Sequence, residues 1–569
     1  MIATRSASAS ARFATLGLAA ACGALVVACS TEVTEVPEAA GQTSAVQQAV
    51  SVHPRYIVKF NNPAARNAVR GAGGSIALEL PGHQAFAANI PAAAVAGLSH
   101  NPNVDYIEED AIRHPSGETV PYGIDAVQAR DVWDANRDGI VDTNASTGAG
   151  IKVCIIDSGL DATHPDFQRA NIAGTDDPTG TGLWSKDSCH HGTHVAGTIA
   201  ASNDGTGVVG VSPGAASLHI VKVFGGDAAD AGCDWAYSSS LVAALDKCTA
   251  AGAKVVSMSL GGPTKSRLED SAFAKAYTSG VLSIAAAGND GTGVGVRISY
   301  PASYASVMSV AAVNEQGLVA TFSQQNSDVE IAAPGVHVLS SVPVGAGRAA
   351  TTTVDGASYA SEGMGSSPIG AADGALVDCG LGDLACPGDG TQICLIERGT
   401  YTFESKIQNC ISGGGKAAIL FNNVDGIFGG DAGLATAIPS VSISREDGLA
   451  LRASKLGTTA TVVLTATNHA YFDGTSMATP HVSGVAALVW SAHPTWTAAQ
   501  VRTALTATAL DSGAPGRDIA YGYGIVRAAA AIAYVPGGGG GTCGAKGSAC
   551  TSNTACCSSS CNTKRKTCN

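Results

Sequence analysis

The sequence predicts an α/β fold in which a parallel sheet is covered by helices on both faces. From Gly150 onward, short runs rich in Val, Ile and Ala alternate with stretches of helical character. Near-continuous apolar strands separated by helices indicate parallel pairing with both faces buried. The runs that we expect to be strands are residues 151–157, 217–223, 254–260, 281–287 and 307–313.

Length and composition exclude several classes of protein. At roughly 100 to 200 residues per domain, the 569 residues allow three or four folding units, which excludes one small module. The net charge of −13 argues against nucleic acid as a partner, because that affinity comes from Lys and Arg. The hydrophobic content of 45% and the 16 cysteines indicate a compact protein exported to an oxidising compartment.

The N-terminus predicts an export signal. Arg5 and Arg12 precede an apolar run at 13–28, which is shorter than the roughly 20 residues of a membrane span. We expect residues 1–29 to be a signal peptide and the polar, aperiodic residues 30–52 to be a linker. The run ends in a segment that resembles a bacterial lipobox, in which Cys29 would carry lipid; secretion with cleavage near Ala28 is the alternative.

Two further units flank or interrupt the core. Residues 53–114 contain a β-α-β-β-α-β pattern, which predicts a ferredoxin-like α+β unit. Residues 346–468 have their own strands at 391–396, 417–421 and 459–464, their own helix at 403–412 and four cysteines, which indicates an inserted β-rich domain. The core would then comprise residues 121–345 and 469–534, followed by a glycine linker at 535–541 and a small disulfide-rich tail at 542–569.

Three motifs carry chemistry, in the order Asp, His, Ser. Ile155-Ile156-Asp157-Ser158-Gly159 places a carboxylate at the carboxyl end of a buried strand, the edge where open α/β sheets bind ligands. The segment 190–198 places His191 where a loop enters a helix. The segment 474–481 places Ser476 at the N-terminus of a long apolar helix, where free N–H groups can stabilise negative charge.

These residues resemble the subtilisin-like serine proteases, which use this order of the triad. The segments Val256-Ser257-Met258-Ser259-Leu260-Gly261-Gly262 and Ala285-Ala286-Ala287-Gly288-Asn289-Asp290 occur at the family's expected places between the motifs. The resemblance implies a subtilisin-like fold and a secreted serine endopeptidase that hydrolyses protein substrates through an acyl-enzyme on Ser476, with no catalytic cofactor. We expect a monomer.

The resemblance also implies a role for each site residue. His191 would be the general base, Asp157 would orient its imidazole, and Asn289 would donate to the oxyanion. The family's substrate strand corresponds to Ser259, Leu260 and Gly261, and its pocket floor to Ser299. His190 is expected to be a surface or wall residue, because the family uses the histidine directly before Gly-Thr-His. His194 and His481 are expected to be structural.

Two other hypotheses compete with the protease. A binding module that keeps the protease fold would require a broken triad, and the sequence shows none broken. An adhesin dominated by its insert and tail is the third hypothesis.

The small domain at 53–114 resembles the family's propeptide, which assists folding and inhibits the enzyme until self-cleavage. The maturation bond would follow the Glu108 to Arg113 region and precede Val120. If Cys29 is lipidated, the anchor is on the propeptide, so maturation would release the protease from the membrane of the bacterial cell.

A structural calcium ion is expected at Asp134, Asn136, Asp138 and Asp142. These oxygens recur at alternate positions around a glycine turn, which resembles a calcium loop. Ala145 occupies the place of the last EF-hand ligand, and a polar surface turn is the alternative.

The remaining modules are also interpreted by resemblance. The insert resembles a protease-associated domain, which would gate or contact substrate, with a purely structural insertion as the alternative. The six cysteines of the tail allow fifteen pairings. The tail resembles a knottin, and this resemblance favours the pairs Cys543–Cys557, Cys550–Cys561 and Cys556–Cys568. The tail could attach the protein to a surface or polymer, inhibit or act as a spacer. In the core, the resemblance implies the disulfides Cys154–Cys248 and Cys189–Cys233.

Overall fold

The computed structural model describes two compact units, residues 1–111 and 112–569. The described residues are 55–110, 118–177, 180–226, 233, 236–292, 298–430, 432–433, 436–535, 561–562 and 567–568. The signal peptide with Cys29, the linker at 30–52, residues 536–541 of the glycine linker and the cysteine pairing of the tail lie outside them. None of the helices in the described part of the chain combines the length and the apolar character that crossing a bilayer requires.

The first unit has the predicted β-α-β-β-α-β order. Its antiparallel sheet has the strands in the order β2 (Ser75–Leu80), β3 (Ala85–Asn89), β1 (Arg55–Phe60) and β4 (Val104–Glu109), and apolar side chains such as Val58, Phe86 and Ile90 lie in its core. A short 3₁₀ turn at Pro81–His83 separates the second and third strands. The elements are β1 (Arg55–Phe60), α1 (Ala65–Gly71), β2 (Ser75–Leu80), β3 (Ala85–Asn89), α2 (Ala92–Ser99) and β4 (Val104–Glu109).

The second unit begins with the catalytic core. Its elements before the insert are β5 (Glu118–Thr119), α3 (Tyr122–Ala126), α4 (Arg130–Trp133), β6 (Lys152–Asp157), β7 (Ile172–Thr175), α5 (His191–Ala200), β8 (Gly207–Val208), β9 (Ser217–Lys222), α6 (Ser238–Ala250), β10 (Val255–Met258), α7 (Arg267–Thr278), β11 (Leu282–Ala286), β12 (Val307–Val313), β13 (Val329–Pro334) and β14 (Val338–Ser341).

The central sheet of the core confirms the predicted fold class. In the described residues it has seven parallel strands in the order β13-β12-β11-β10-β6-β9-β7. All five expected runs are strands, and β7 and β13 extend the two edges. After β6 the chain forms β7 and then β9 on one side of it, and β10 then lies on the other side, so the strand order reverses at β6. Ligands bind beyond the carboxyl ends of strands at such a point.

The insert elements are β15 (Gly347–Val354), β16 (Ala357–Tyr359), β17 (Ser361–Gly363), β18 (Gly370–Asp378), β19 (Ile393–Glu397), α8 (Phe403–Ser412), β20 (Ala417–Phe421), β21 (Ser440–Ile443), α9 (Arg445–Ser454) and β22 (Thr459–Thr467). As described, its strands form one sheet in the order β16-β15-β22-β18-β19-β20-β21-β17. This sheet mixes parallel and antiparallel pairs and confirms the β-rich insert.

The core resumes directly after the insert. Its last elements are β23 (His469–Phe472), α10 (Thr475–Ala492), α11 (Ala498–Ala507) and α12 (Ala528–Ile532), and the tail adds β24 (Cys561–Asn562) and β25 (Thr567–Cys568). Strand β23 pairs antiparallel with β14, so the two ends of the insert leave the core side by side. Helix α10 is buried from Met477 to Trp490 and packs against the central sheet.

Four disulfides occur in the described residues. Cys154–Cys248 joins β6 to α6, and Cys189–Cys233 joins two loops beside the cleft, which confirms both pairs expected in the core. The insert contains Cys379–Cys386 and Cys394–Cys410, whose pairing the sequence left open.

Candidate active site

Asp157 and His191 come together at the carboxyl end of β6. Asp157 is the last residue of β6 and is fully buried, and His191 is the first residue of α5. Nδ1 of His191 lies 2.8 Å from Oδ1 of Asp157, which also accepts a 2.7 Å hydrogen bond from the Ser158 N–H. Because an ionised carboxylate can only accept, the proton is on Nδ1, and Nε2 is the basic nitrogen of the neutral ring.

The charges around His191 favour its protonated form. Burial opposes the imidazolium charge, but the carboxylates of Asp157 and Asp187 outweigh it, so the pKa of His191 is raised above its ordinary value. The side chain remains 30% exposed, which leaves the ring accessible from the cleft.

A second buried carboxylate, Asp187, holds the end of β6 against α5. Its oxygens accept from the Ser158 hydroxyl at 2.8 Å and from the N–H and hydroxyl of Thr193 at 2.8 and 2.7 Å. The Ser158 hydroxyl in turn accepts from the Gly192 N–H at 2.8 Å. Sequence reasoning missed this support. Ser158 and Thr193 lie inside the quoted motifs, whereas no sequence signal distinguishes Asp187 from other aspartates.

Ser476, the second residue of α10, exchanges two hydrogen bonds with Ser259. The Ser476 hydroxyl donates to the Ser259 carbonyl at 3.3 Å, and the Ser259 hydroxyl donates to the Ser476 carbonyl at 2.6 Å. Pro480 explains the second bond, because it has no N–H and so leaves the Ser476 carbonyl without its helical partner. Ser259 therefore supports residues 473–476, called here the nucleophile loop, in addition to its expected place in the substrate strand.

Two hydrogen-bond donors converge beside Ser476. Asn289 follows β11, and its Oδ1 accepts from the N–H and hydroxyl of Thr475 at 2.9 and 2.8 Å. This orientation leaves Nδ2 on the other side of the amide. A Cβ built on Gly474 would lie 3.5 Å from both Asn289 Nδ2 and the Ser476 backbone N. Both donor nitrogens thus lie near the same point beside Gly474, which the absence of a side chain on this residue leaves open.

Two adjoining cavities meet along Leu260, Gly261 and the residues that follow them. The smaller, of about 220 Å³, is lined by Asn289, Ser299 and Ser476. The larger, of about 710 Å³, contains Asp157 and His191 and the apolar side chains of Phe224, Tyr237, Leu241 and Tyr300. All the expected triad and substrate-strand residues therefore line one cleft. Ser299 is 5% exposed and lies at the wall of the smaller cavity.

The other histidines of these motifs lie apart from this chemistry. His194 Nε2 lies 3.0 Å from the Val338 carbonyl and 3.1 Å from the Ala470 carbonyl, and burial lowers its pKa to about 3. His481 Nδ1 lies 2.8 Å from the Met477 carbonyl, and burial lowers its pKa to about 4. Both rings are therefore neutral packing groups at ordinary pH.

The expected calcium residues form one compact turn after α4. Asp134 is fully buried, and its Oδ2 has no hydrogen-bond partner among the described residues but lies 3.7 Å from Nη1 of Arg130. The side chains of Asn136 and Asp138 accept from backbone N–H groups two residues later, and Asp142 accepts from the Ala135 N–H at 2.8 Å. Burial raises the pKa of Asp134, a cost that a bound cation would offset.

A buried carboxylate on an imidazole, a serine at a helix N-terminus and two convergent donors are the chemical groups of a serine hydrolase. The profile of the Subtilase family matches residues 148–362 and 437–524, and the PA domain profile matches residues 372–451.

Individual relatives agree with these profiles. Subtilisin amylosacchariticus from Bacillus subtilis subsp. amylosacchariticus is 35% identical over 317 residues, which cover 54% of this chain and 76% of that protein. M-protease from Shouchella clausii is 40% identical over 249 residues, which cover 44% of this chain and 60% of that protein. The crystal structure of a psychrophilic subtilisin-like protease from the Antarctic psychrotroph Pseudoalteromonas sp. AS-11 has a TM-score of 0.56 and 43% identity, and the match covers 74% of this chain and 98% of that one.

The chain belongs to the subtilase family and is a serine-type endopeptidase. It carries a protease-associated domain within its catalytic core. Subtilases need no catalytic cofactor.

Proposed function

We propose that this protein is a secreted endopeptidase that cleaves peptide bonds through an acyl-enzyme on Ser476. The observation that carries the proposal is the 2.8 Å contact between His191 and the buried Asp157, in the cleft that also contains Ser476 and the Asn289 amide. For attack, the Ser476 hydroxyl breaks its hydrogen bond to the Ser259 carbonyl and donates instead to Nε2 of His191. His191 takes the proton and returns it to the leaving amine, while Asp157 stabilises the imidazolium.

The oxyanion of the tetrahedral intermediate would be held by Asn289 Nδ2 and the Ser476 N–H. These donors are fixed before substrate binds, because Thr475 holds the Asn289 amide by two hydrogen bonds. Preorganised donors stabilise charge that develops only in the transition state. Leaving-group departure forms the acyl-enzyme, and a water activated by His191 then hydrolyses it.

A serine-directed phosphonate tests this mechanism. Wild-type protein should lose casein hydrolysis as one phosphonate attaches to Ser476, and Ser476→Ala should neither react nor hydrolyse casein. Labelling at another residue, or casein hydrolysis by Ser476→Ala, would refute the assignment.

The substrate chain would run extended along Ser259, Leu260 and Gly261, pairing through backbone hydrogen bonds. The side chain before the scissile bond would enter the cavity of about 220 Å³. Ser299 contributes a small, uncharged side chain to the wall of this cavity, which favours large apolar side chains or little selectivity, and Asp290, the one acidic residue among the described lining, is exposed. A peptide library should show cleavage after apolar residues, and exclusive cleavage after charged residues would contradict this assignment.

The unit at 55–110 would be a propeptide that is removed by self-cleavage before Val120. Its separate compact fold supports an independent folding role. With lipid on Cys29, the precursor would be anchored and the mature enzyme released. Ser476→Ala should then accumulate as a full-length precursor in membranes, while wild type yields a soluble product; soluble, processed Ser476→Ala would contradict this.

The turn at Asp134, Asn136, Asp138 and Asp142 would bind one structural calcium ion. Oδ2 of Asp134 is buried and accepts no hydrogen bond among the described residues, and its cationic neighbour there, Nη1 of Arg130, is 3.7 Å away, which supports a cation ligand. Calorimetry should detect Ca²⁺ binding that Asp138→Ala removes, and equal binding by both proteins would place the ion elsewhere.

A further inference from the structure

The protease-associated insert contacts the core next to the nucleophile loop. Strand β17 carries Glu362, whose side chain is 11% exposed and whose Oε1 contacts Nε2 of His337. His337 belongs to the core and lies in the segment between β13 and β14. A side chain of the insert therefore reaches a core segment that adjoins the active site.

His337 is fixed on two sides in addition to Glu362. Its ring stacks on Tyr471 of β23 with centroids 4.0 Å apart and planes 3° apart. Its backbone N–H donates to Oδ1 of Asp473 at 2.6 Å. Asp473 directly precedes Gly474, whose N–H donates to the Gly335 carbonyl at 2.8 Å. The segment around His337 thus holds the start of the nucleophile loop.

The protonation state of Glu362 allows it to form a hydrogen bond with the His337 ring. Burial and the neighbouring Asp473 raise the pKa of Glu362 to about 9, so its carboxyl group carries a proton at neutral pH and can donate to the His337 ring. Burial raises the pKa of Asp473. The hydrogen bond from the His337 N–H and the positive charge of Arg398, a second residue of the insert, oppose this shift. Oε2 of Glu362 is shielded and has no partner among the described residues, as expected for a neutral carboxyl group rather than a carboxylate.

We propose that the insert positions the catalytic serine through Glu362, which braces His337, which in turn fixes Asp473 at the start of the nucleophile loop. Glu362 and His337 are positioning residues, since neither lines the cavities that contain Ser476 and His191. The inference rests on the proposed role of Ser476. Small displacements of a nucleophile are costly, because a shift of about 1 Å can lower the rate roughly a hundredfold.

The test compares Glu362→Ala with Glu362→Gln, which keeps a hydrogen-bond donor of the same shape. Both are assayed on a short chromogenic peptide, and kcat is calculated per active site titrated with phosphonate, so unfolded protein does not count. We expect Glu362→Ala to lower kcat about tenfold with KM within twofold of wild type, and Glu362→Gln to recover most of the loss. The matched control is Asp355→Asn, an exposed carboxylate of the insert that pairs with Lys455, and it should leave kcat unchanged.

A second comparison tests whether the residues act in series. His337→Asn suits the positive φ of 56° at this position but removes the ring. The double variant with Glu362→Ala should lose no more than the larger single loss. Unchanged kcat in Glu362→Ala, an effect on KM alone, or additive losses in the double variant would each overturn the inference. If wild type itself takes up no phosphonate at Ser476, the proposed function fails instead.

Discussion

The catalytic sheet and the sheet of the insert differ in how deeply the side chains of their strands are buried. Strands β11, β12 and β13 are buried at every residue, because helices cover both faces of the parallel sheet. Strands β18 and β22 of the insert alternate between more buried and more exposed positions. Asp157, Ser259 and Asn289 lie at or just beyond the carboxyl ends of strands of the catalytic sheet, where their polar groups can reach the cleft.

Buried polar groups have different surroundings at different places in the molecule. Lys406 of the insert is fully buried, and its ammonium group donates to the carbonyls of Leu381 and Glu397. Both of these acceptors belong to the insert itself. In the core, Asp157 and Asp187 instead direct their hydrogen bonds to residues beside an open cleft. Burial alone therefore does not identify a functional residue, and the position of the buried group relative to the cleft must be considered as well.

The largest expected effect is a loss of activity when a residue of the core is changed, compared with a change in the insert. Ser476→Ala should lower kcat about a millionfold, as removal of the nucleophile does in a related subtilisin, because no other group can form the acyl-enzyme. Ser440→Ala removes a buried hydroxyl of the insert that bonds only its local backbone, and it should leave kcat within about twofold. Kinetics on a peptide substrate measure both, and a large loss in Ser440→Ala would break the comparison.

The disulfides should separate the regions by stability. Cys154–Cys248 closes a loop of 94 residues and Cys394–Cys410 one of 16 residues, so the loop-closure model gives about 5 and about 3 kcal/mol. Serine pairs at these positions, made in the Ser476→Ala background to prevent autolysis, should lower the free energy of unfolding in urea in that order. Hydrogen exchange should show the second loss confined to the insert, and the reverse order would contradict the model.

Gly474→Ala should impair catalysis without unfolding the protein. The added methyl group would lie 3.5 Å from both oxyanion donors, an ordinary packing distance that nevertheless fills their shared space. We expect kcat to fall about a hundred- to a thousandfold, as on removal of one donor. The melting temperature should change little, and a normal kcat would mean that the oxyanion lies elsewhere.

The smallest effect is a pH dependence. Only the neutral His191 accepts the Ser476 proton, and the pKa of His191 is raised, so the rate of phosphonate labelling should fall as pH decreases through a midpoint above 6.5. Burial lowers the pKa of His337, at the insert junction, to about 4, so this histidine should not contribute near neutrality. A midpoint below 6.5 would contradict the raised pKa of His191.

Sequence reasoning missed strand β13 for a physical reason. Its run Val329–Pro334 contains Glu330, and a charge within an apolar run argues against a buried strand. Arg502 from α11 offsets that charge with a bond of 2.7 Å to Glu330. The partner is 172 residues away in the chain, so no local pattern could reveal it.

The local sequence alone determined those structural features that depend only on residues adjacent in the chain. An apolar run followed by Asp157 predicts a carboxylate at a strand end, and Gly-Thr-Ser before an apolar helix predicts a hydroxyl at its N-terminus. Only the tertiary structure decided how these groups are supported. Asp187 against Ser158, Ser259 against the carbonyl freed by Pro480, and Glu362 against His337 are contacts between distant segments. Their energy depends on distance and burial, which the order of residues does not specify.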